Sequence, residues 1–222
     1  MDFIEIAREI VLLAIPILIA VTFHEVAHGF VADRLGDPTA KMMGRLTLNP
    51  IAHIDPIGTV LMPIMLLVLT NGQFVFGYAK PVPINPMNFK DPKKDMAISA
   101  AAGPVMNLLL AFLSVIVLRF IIVPLTLVSP ESVNSTILGP LLMIFKSSVV
   151  VNVVLAVFNM IPIPPLDGGR VLTGFLPNRQ AAVFSRIEPF GFLIVIFLIA
   201  SGIANYFVLP LVNLILGLLQ LL

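Results

Sequence analysis

The stretch Ile10-Val11-Leu12-Leu13-Ala14-Ile15-Pro16-Ile17-Leu18-Ile19-Ala20-Val21-Thr22-Phe23-His24-Glu25-Val26-Ala27-His28 decides how this chain is read. Up to Phe23 it is apolar apart from Thr22, the composition of a membrane-spanning helix. It then carries two histidines at i and i+4, which project from one helix face and can share one metal ion. Glu25 sits beside the position such a metal would leave open, where it can take a proton from water. Ionisable side chains inside a span are costly and mark function. Coordination gives all three a reason to be there, whereas the bland alternative is a helix end whose polar residues reach back to the interface.

Composition agrees with a membrane setting. The chain has 222 residues, 59% hydrophobic and 11% charged, with a mean hydropathy of +1.06, values of integral membrane proteins rather than globular ones. A net charge of +1 and the lack of a basic cluster exclude a nucleic-acid partner. With no cysteine, disulfides and thiolate ligands are excluded, so a metal must be held by histidine, carboxylate or water. The N-terminus, Met1-Asp2-Phe3-Ile4-Glu5, is acidic where a cleaved leader is basic, so the first span is read as retained. The expected architecture is a single membrane domain over residues 1–222. It is all-α and polytopic, with about four to six transmembrane segments and a short β-hairpin or re-entrant region.

The first span is expected at about 4–32. Lys41 to Leu48 alternates in polarity, which predicts a strand or hairpin able to offer an edge to an extended peptide. Ile57 to Thr70 is apolar but short for a crossing, and Gln73 to Asn88, with Gly77, Pro81, Pro83 and Pro86, cannot be helical throughout. Central spans are predicted at about 97–123 and 140–161, separated by a turn-rich loop from Pro124 to Gly139. The apolar stretch 189–222 reads as one long crossing or as a span with a returning segment. Arg34, Lys41, Arg45, Lys80, Lys90, Lys93, Lys94, Arg170, Arg179 and Arg186 all fall in three connecting regions, which the positive-inside rule places on the cytoplasmic side. That requires an even number of crossings between Ile57 and Asp95, satisfied by a re-entrant segment lining a cavity. The ends of the first span and of the 140–161 span then share a face, where His24, His28 and Asp167 can meet.

A third protein ligand must be His53 or a carboxylate. Asp167 follows the helix-breaking Pro162-Ile163-Pro164-Pro165 and precedes Gly168-Gly169, which allow close backbone approach. It reads equally as an N-cap for the segment from Arg170 to Phe175. His53 lies in a turn-rich segment, where a bond to Asp55 or a carbonyl competes with a role as ligand or substrate contact. Asn107, Asn152 and Asn159 are amides in apolar helices, suited either to gluing helices together or to donating to a developing oxyanion. The small residues Ala100-Ala101-Ala102-Gly103 suit close helix packing, and Lys90 to Lys94 an interfacial anchor.

With His24-Glu25-Val26-Ala27-His28 in the first span and Asn159-Met160-Ile161-Pro162-Ile163-Pro164-Pro165-Leu166-Asp167-Gly168 downstream, the chain resembles the site-2 protease family of intramembrane zinc metalloproteases. The family's N-x-x-P-x-x-x-L-D-G pattern falls on Asn159, Pro162, Leu166, Asp167 and Gly168. Gly77-Tyr78-Ala79-Lys80-Pro81-Val82-Pro83 and Gly103-Pro104 with Asn107 also look like this family. The resemblance implies one zinc per chain held by His24, His28 and Asp167, with Glu25 as general base. It also implies substrates that are transmembrane segments of other proteins, and a multi-pass protein of a prokaryotic plasma membrane with its site toward the cytoplasm. The chain looks like the short form without a PDZ or CBS domain. Two other classes use an embedded metal site. A helix-binding scaffold has no need of Glu25, and a transporter would spread ionisable groups along a path rather than gather them at one depth.

Overall fold

Hydrocarbon offers backbone amides no partner, so apolar runs in this chain fold as helices. The computed structural model describes residues 3–70 and 77–220. Helix α1 (Phe3–Leu35) ends at Gly36, whose φ of 113° suits a residue without a side chain. A short α2 (Thr39–Met42) follows, then a π-helical turn Pro56–Leu61 leading into α3 (Met62–Leu69). Helix α4 (Pro92–Val117) starts at a reciprocal cap: Lys94 N–H donates to Asp91 Oδ1, and Asp91 N–H donates to Asp95 Oδ2. It continues through a π turn, Leu118–Ile122, into α5 (Val123–Val128). After a break at Ser129–Pro130 come α6 (Glu131–Val133), a further π turn, and α7 (Gly139–Asn159). The chain closes with α8 (Asp167–Phe175), α9 (Asn178–Ser185), α10 (Glu188–Ala200) and α11 (Ile203–Gln220).

Among the described residues, four stretches are long and apolar enough to cross a membrane: Val11–Leu35, Pro92–Val128, Glu131–Asn159 and Ile203–Gln220. The bent pair α9 and α10, at 65°, brings the number to five if it forms one span. The C-terminal stretch is therefore two apolar helices broken at Ser201–Gly202, and Pro56–Leu69 is a shorter apolar helix, as its length predicts.

Helix α4 is the hub, packed against α1, α7 and α8, while α11 lies on α7. The interior is built from small residues, among them Ala20, Ala100, Gly103, Ala111, Val153 and Ala156, while most large apolar side chains point outward. That inversion follows from a lipid solvent as apolar as leucine, in which close backbone approach drives association.

Two expectations are corrected. Among the described residues there is no β-strand: Lys41 and Met42 belong to α2, Gly44 turns with φ 66°, and 45–49 form no ladder. Instead the Arg45 guanidinium donates to the carbonyls of Lys80 (2.9 Å) and Pro81 (3.4 Å), a side-chain tether in place of strand pairing. The segment from Pro124 to Gly139 is not a turn-rich loop but largely helical: Pro124 and Pro140 each follow directly on a π turn within a continuing helix, a local irregularity of the kind that accommodates a residue without an N–H, and Pro130 stands just before α6. The re-entrant reading of 57–95 depends partly on residues 71–76, which lie outside the described residues.

The segment 77–88 is pinned across α1 by isolated bonds. Tyr78 N–H donates to Gly58 O and Lys80 N–H to His53 O. The buried Asp37 accepts from Asn85 N–H (2.7 Å), Asn88 Nδ2 (2.7 Å) and Thr39 Oγ1 (2.5 Å).

Candidate metal centre

Helix α1 presents His24 and His28 on one face, and α8 brings Asp167 to them from 139 residues further along the chain. The proline-rich turn from Met160 to Leu166 makes this possible. It reverses the chain after α7 so that Asp167 becomes the first residue of α8, and its side chain caps nothing but turns to the histidines. Gly168 and Gly169 lie against the 160–164 backbone, which a Cβ at either position would strike. Gly103 of α4 faces the imidazoles so closely that a Cβ there would stand 2.5 Å from His28 Nε2 and 2.6 Å from His24 Nε2.

All three side chains are buried. His24 Nε2 and His28 Nε2 are 3.0 Å apart, and Asp167 Oδ2 is 3.1 Å from the first and 3.3 Å from the second. The outer ring nitrogens decide what these distances mean. His24 Nδ1 is 2.6 Å from Asn107 Oδ1, and that amide's orientation is fixed because its Nδ2 donates to Ala20 O and to Asn152 Oδ1. His28 Nδ1 is 2.8 Å from the carbonyl of Ser99, which can only accept. Both Nδ1 atoms therefore carry the protons, and both Nε2 atoms turn lone pairs inward. Three lone-pair-bearing atoms at these separations are not hydrogen-bonded to one another, and Asp167 Oδ2 is a buried acceptor without a donor.

Such an arrangement calls for a cation. Tetrahedral zinc with bonds of about 2.05 Å separates its ligands by about 3.3 Å, close to the spacings here, so the donor set fits zinc in both type and geometry.

Glu25 borders the same cavity, which has a volume of about 470 Å³. Its Oε2 accepts from Val82 N–H at 2.8 Å. Because Pro81 and Pro83 carry no N–H, Val82 holds the one backbone donor of that tripeptide. The remaining walls are mainly apolar, Met62, Ile84, Leu166, Phe192 and Val195 among them, with Asn159 and Arg170 as further polar groups. A larger cavity of about 740 Å³ between α4, α7 and α11 is lined by apolar residues alone and offers no chemistry.

The other candidate residues separate on inspection. Asn107 lies behind His24, its amide fully engaged, and Asn152 continues that chain to Ser148 O (2.8 Å); neither faces the cavity. Asn159 lines the cavity and spends one N–H on Leu155 O. His53 is buried elsewhere, with Nε2 2.9 Å from Thr47 O, and is not among the cavity's lining residues. The sequence reading missed Val82 N–H and Ser99 O, which act through the backbone. It took Gly103 for ordinary packing and Arg170 for a topology signal.

The sequence profile described as Peptidase family M50 matches residues 12–202. The chain belongs to that family. A relative in Bacillus subtilis (strain 168), named "Putative zinc metalloprotease YwhC", is 37% identical over 201 residues, covering 90% of this chain and 85% of its own. "Putative zinc metalloprotease Rip2" of Mycolicibacterium smegmatis is 29% identical over 192 residues, 85% of this chain and 66% of its own. No solved structure gives a significant match. M50 is the site-2 protease family, so this is a multi-pass membrane member of a metalloprotease family whose relatives carry names that imply zinc.

Proposed function

We propose that the chain is an intramembrane zinc metalloprotease that cuts peptide bonds in or near transmembrane segments of other membrane proteins. One zinc per chain would be held by His24, His28 and Asp167. The observation that carries the reading is the convergence of three inward lone pairs in a buried cavity whose next neighbour is a carboxylate. Bound there, zinc would bring the pKa of a water toward about 7 and polarise the scissile carbonyl.

The chain's own residues do the rest. Glu25, oriented through Val82 N–H, takes the proton of the attacking water on its free oxygen and delivers it to the departing amine. Asn159 has an amide N–H beyond the one given to Leu155 and offers it to the carbonyl oxygen as negative charge develops. The apolar walls admit a hydrophobic segment, which must unwind locally to expose its carbonyls. Basic residues in the connecting regions that flank the site support, by the positive-inside rule, an active site toward the cytoplasm. The bacterial relatives suit a prokaryotic plasma membrane, where such cleavage serves regulated proteolysis or clearance of membrane proteins.

Cleavage of a panel of single-span substrates by purified wild type and Glu25→Gln, with bound zinc quantified in both, tests the reading. Cleavage by wild type alone, with stoichiometric zinc in both, is expected. Absence of zinc from both proteins would overturn it.

A further inference from the structure

We infer that Arg170 is a substrate-binding residue that reads a carboxylate on the segment entering the cavity, either an acidic side chain or a chain terminus near the scissile bond. This rests on the proteolytic reading above. Arg170 stands three residues after Asp167 on α8, hence on the same helical face, and lines the same cavity. It is half-buried, yet its guanidinium has no hydrogen bond and no ion pair among the described residues. Neither carboxylate of the cavity forms an ion pair with it: Glu25 accepts from Val82 N–H through Oε2, and Asp167 faces the two histidines.

A half-buried arginine on a cavity whose walls include Leu166, Phe192 and Val195, with no ion-pair partner among the described residues, is costly, since a partly desolvated cation gains from any anion supplied to it. Its planar fork of donors matches a carboxylate bidentately, which an amide cannot equal. A snorkelling topology anchor, the ordinary role for a basic residue at this face, would turn to the interface rather than line a catalytic cavity. The proposed group acts on the choice of substrate, not on the bond-breaking step.

The test separates binding from cleavage. In zinc-loaded Glu25→Gln protein, fluorescence anisotropy measures Kd for single-span segments in which one Glu is scanned along the polar flank of the helix, each paired with its Gln counterpart. At one or two adjacent positions the Glu segment should bind about tenfold more tightly than its Gln counterpart, a charge-assisted bidentate increment. Adding Arg170→Gln should bring that ratio to about one, and Arg170→Glu should make the same position favour Lys. Arg170→Lys keeps the charge but loses the fork. It should give an intermediate ratio, and it serves as the second variant should Arg170→Gln fail to hold zinc. A Glu preference that survives Arg170→Gln, or no Glu preference at any position, overturns the proposal while leaving the protease reading intact. Failure of every segment to bind would take down the protease reading and this inference with it.

Discussion

Replacing Asn107 probes whether the zinc ligands are set from behind. In Asn107→Ala, His24 Nδ1–H loses an acceptor at 2.6 Å and Asn152 Oδ1 loses a donor at 2.8 Å, while Ala20 O keeps its helical bond. Each buried group left unpaired costs about 1–3 kcal/mol, so the gross loss of stability is about 2–6 kcal/mol, reduced by any water that enters the space. The metal should suffer separately. Without Asn107 the imidazole is free to rotate and to place its proton on Nε2, and outer partners of this kind are worth about 10–100-fold in affinity, or about 1.4–2.7 kcal/mol. Asn107→Asp separates the two effects. It keeps an acceptor for Nδ1–H but loses the donors to Ala20 O and Asn152 Oδ1, so it should hold zinc far better than Asn107→Ala while being no more stable. Zinc affinity by chelator competition and thermal unfolding in detergent give the two rankings. Wild-type zinc affinity in Asn107→Ala, or equal metal loss in both variants, would refute the tautomer argument.

Three more perturbations follow from the geometry. Gly103→Ala should lose zinc with little loss of helicity, because the new methyl would lie 2.5–2.6 Å from the imidazole atoms; metal analysis beside circular dichroism checks this. Val82→Pro removes the donor to Glu25 while keeping an extended Pro-Pro-Pro run, and should retain zinc but lower kcat by about 10–100-fold, read from steady-state cleavage. For Asp37, burial alone would raise the pKa, but the bonds from Thr39, Asn88 and Asn85 outweigh it and hold the carboxyl below its ordinary value of about 3.9. Its stabilisation is therefore fully present above that value and lost as pH falls through the lower folded pKa. Asp37→Asn should unfold at lower temperature than wild type at neutral pH, with the difference shrinking as pH falls through the lowered folded pKa.

What the sequence made legible was side-chain chemistry. The i, i+4 histidines, the adjacent glutamate and the Pro-rich approach to Asp167-Gly168 announce themselves because no other residue types serve, and the structure brings His24 Nε2, His28 Nε2 and Asp167 Oδ2 to separations of 3.0, 3.1 and 3.3 Å. Backbone roles were not legible. Ser99 O and Val82 N–H carry no letter of their own, although two flanking prolines around one valine single out its N–H once the partner is known. Asn107 was visible as an amide, but whether it faced a substrate or an imidazole depended on the rotation of α4 about its axis, which the spacing of residues does not fix. The alternation at 41–48 misled for a related reason: period two describes which side chains can share a face, not whether a partner strand exists, and here the groups of 77–88 are taken by single bonds to α1 and its neighbours. Pro124 to Gly139 misled because its turn-forming residues do not end the helices: Pro130 stands just before α6, and Pro124 and Pro140 follow π turns inside helices that continue.

The distribution of satisfied and unsatisfied groups gives the site its clearest physical signature. At membrane depth every unpaired polar group is expensive, and this fold spends its amides and hydroxyls on one another: Asn107 on Asn152, Asn152 on Ser148, and Ser148 on Ser114 at 2.9 Å. Among the described residues Arg45 Nε, His53 Nδ1 and Asn134 Oδ1 are also buried without a partner, but they do not line the cavity; what distinguishes the site is that its unsatisfied groups face one another. Asp167 Oδ2 is buried without a donor, two imidazole lone pairs point at it, and Arg170 faces the same space without an anion. Ligands arriving from outside can satisfy both sets, a dication for the first and a substrate carboxylate for the second. The two requirements can be separated by experiment, because zinc should load without any peptide present, whereas the preference for an acidic segment should follow the charge at position 170.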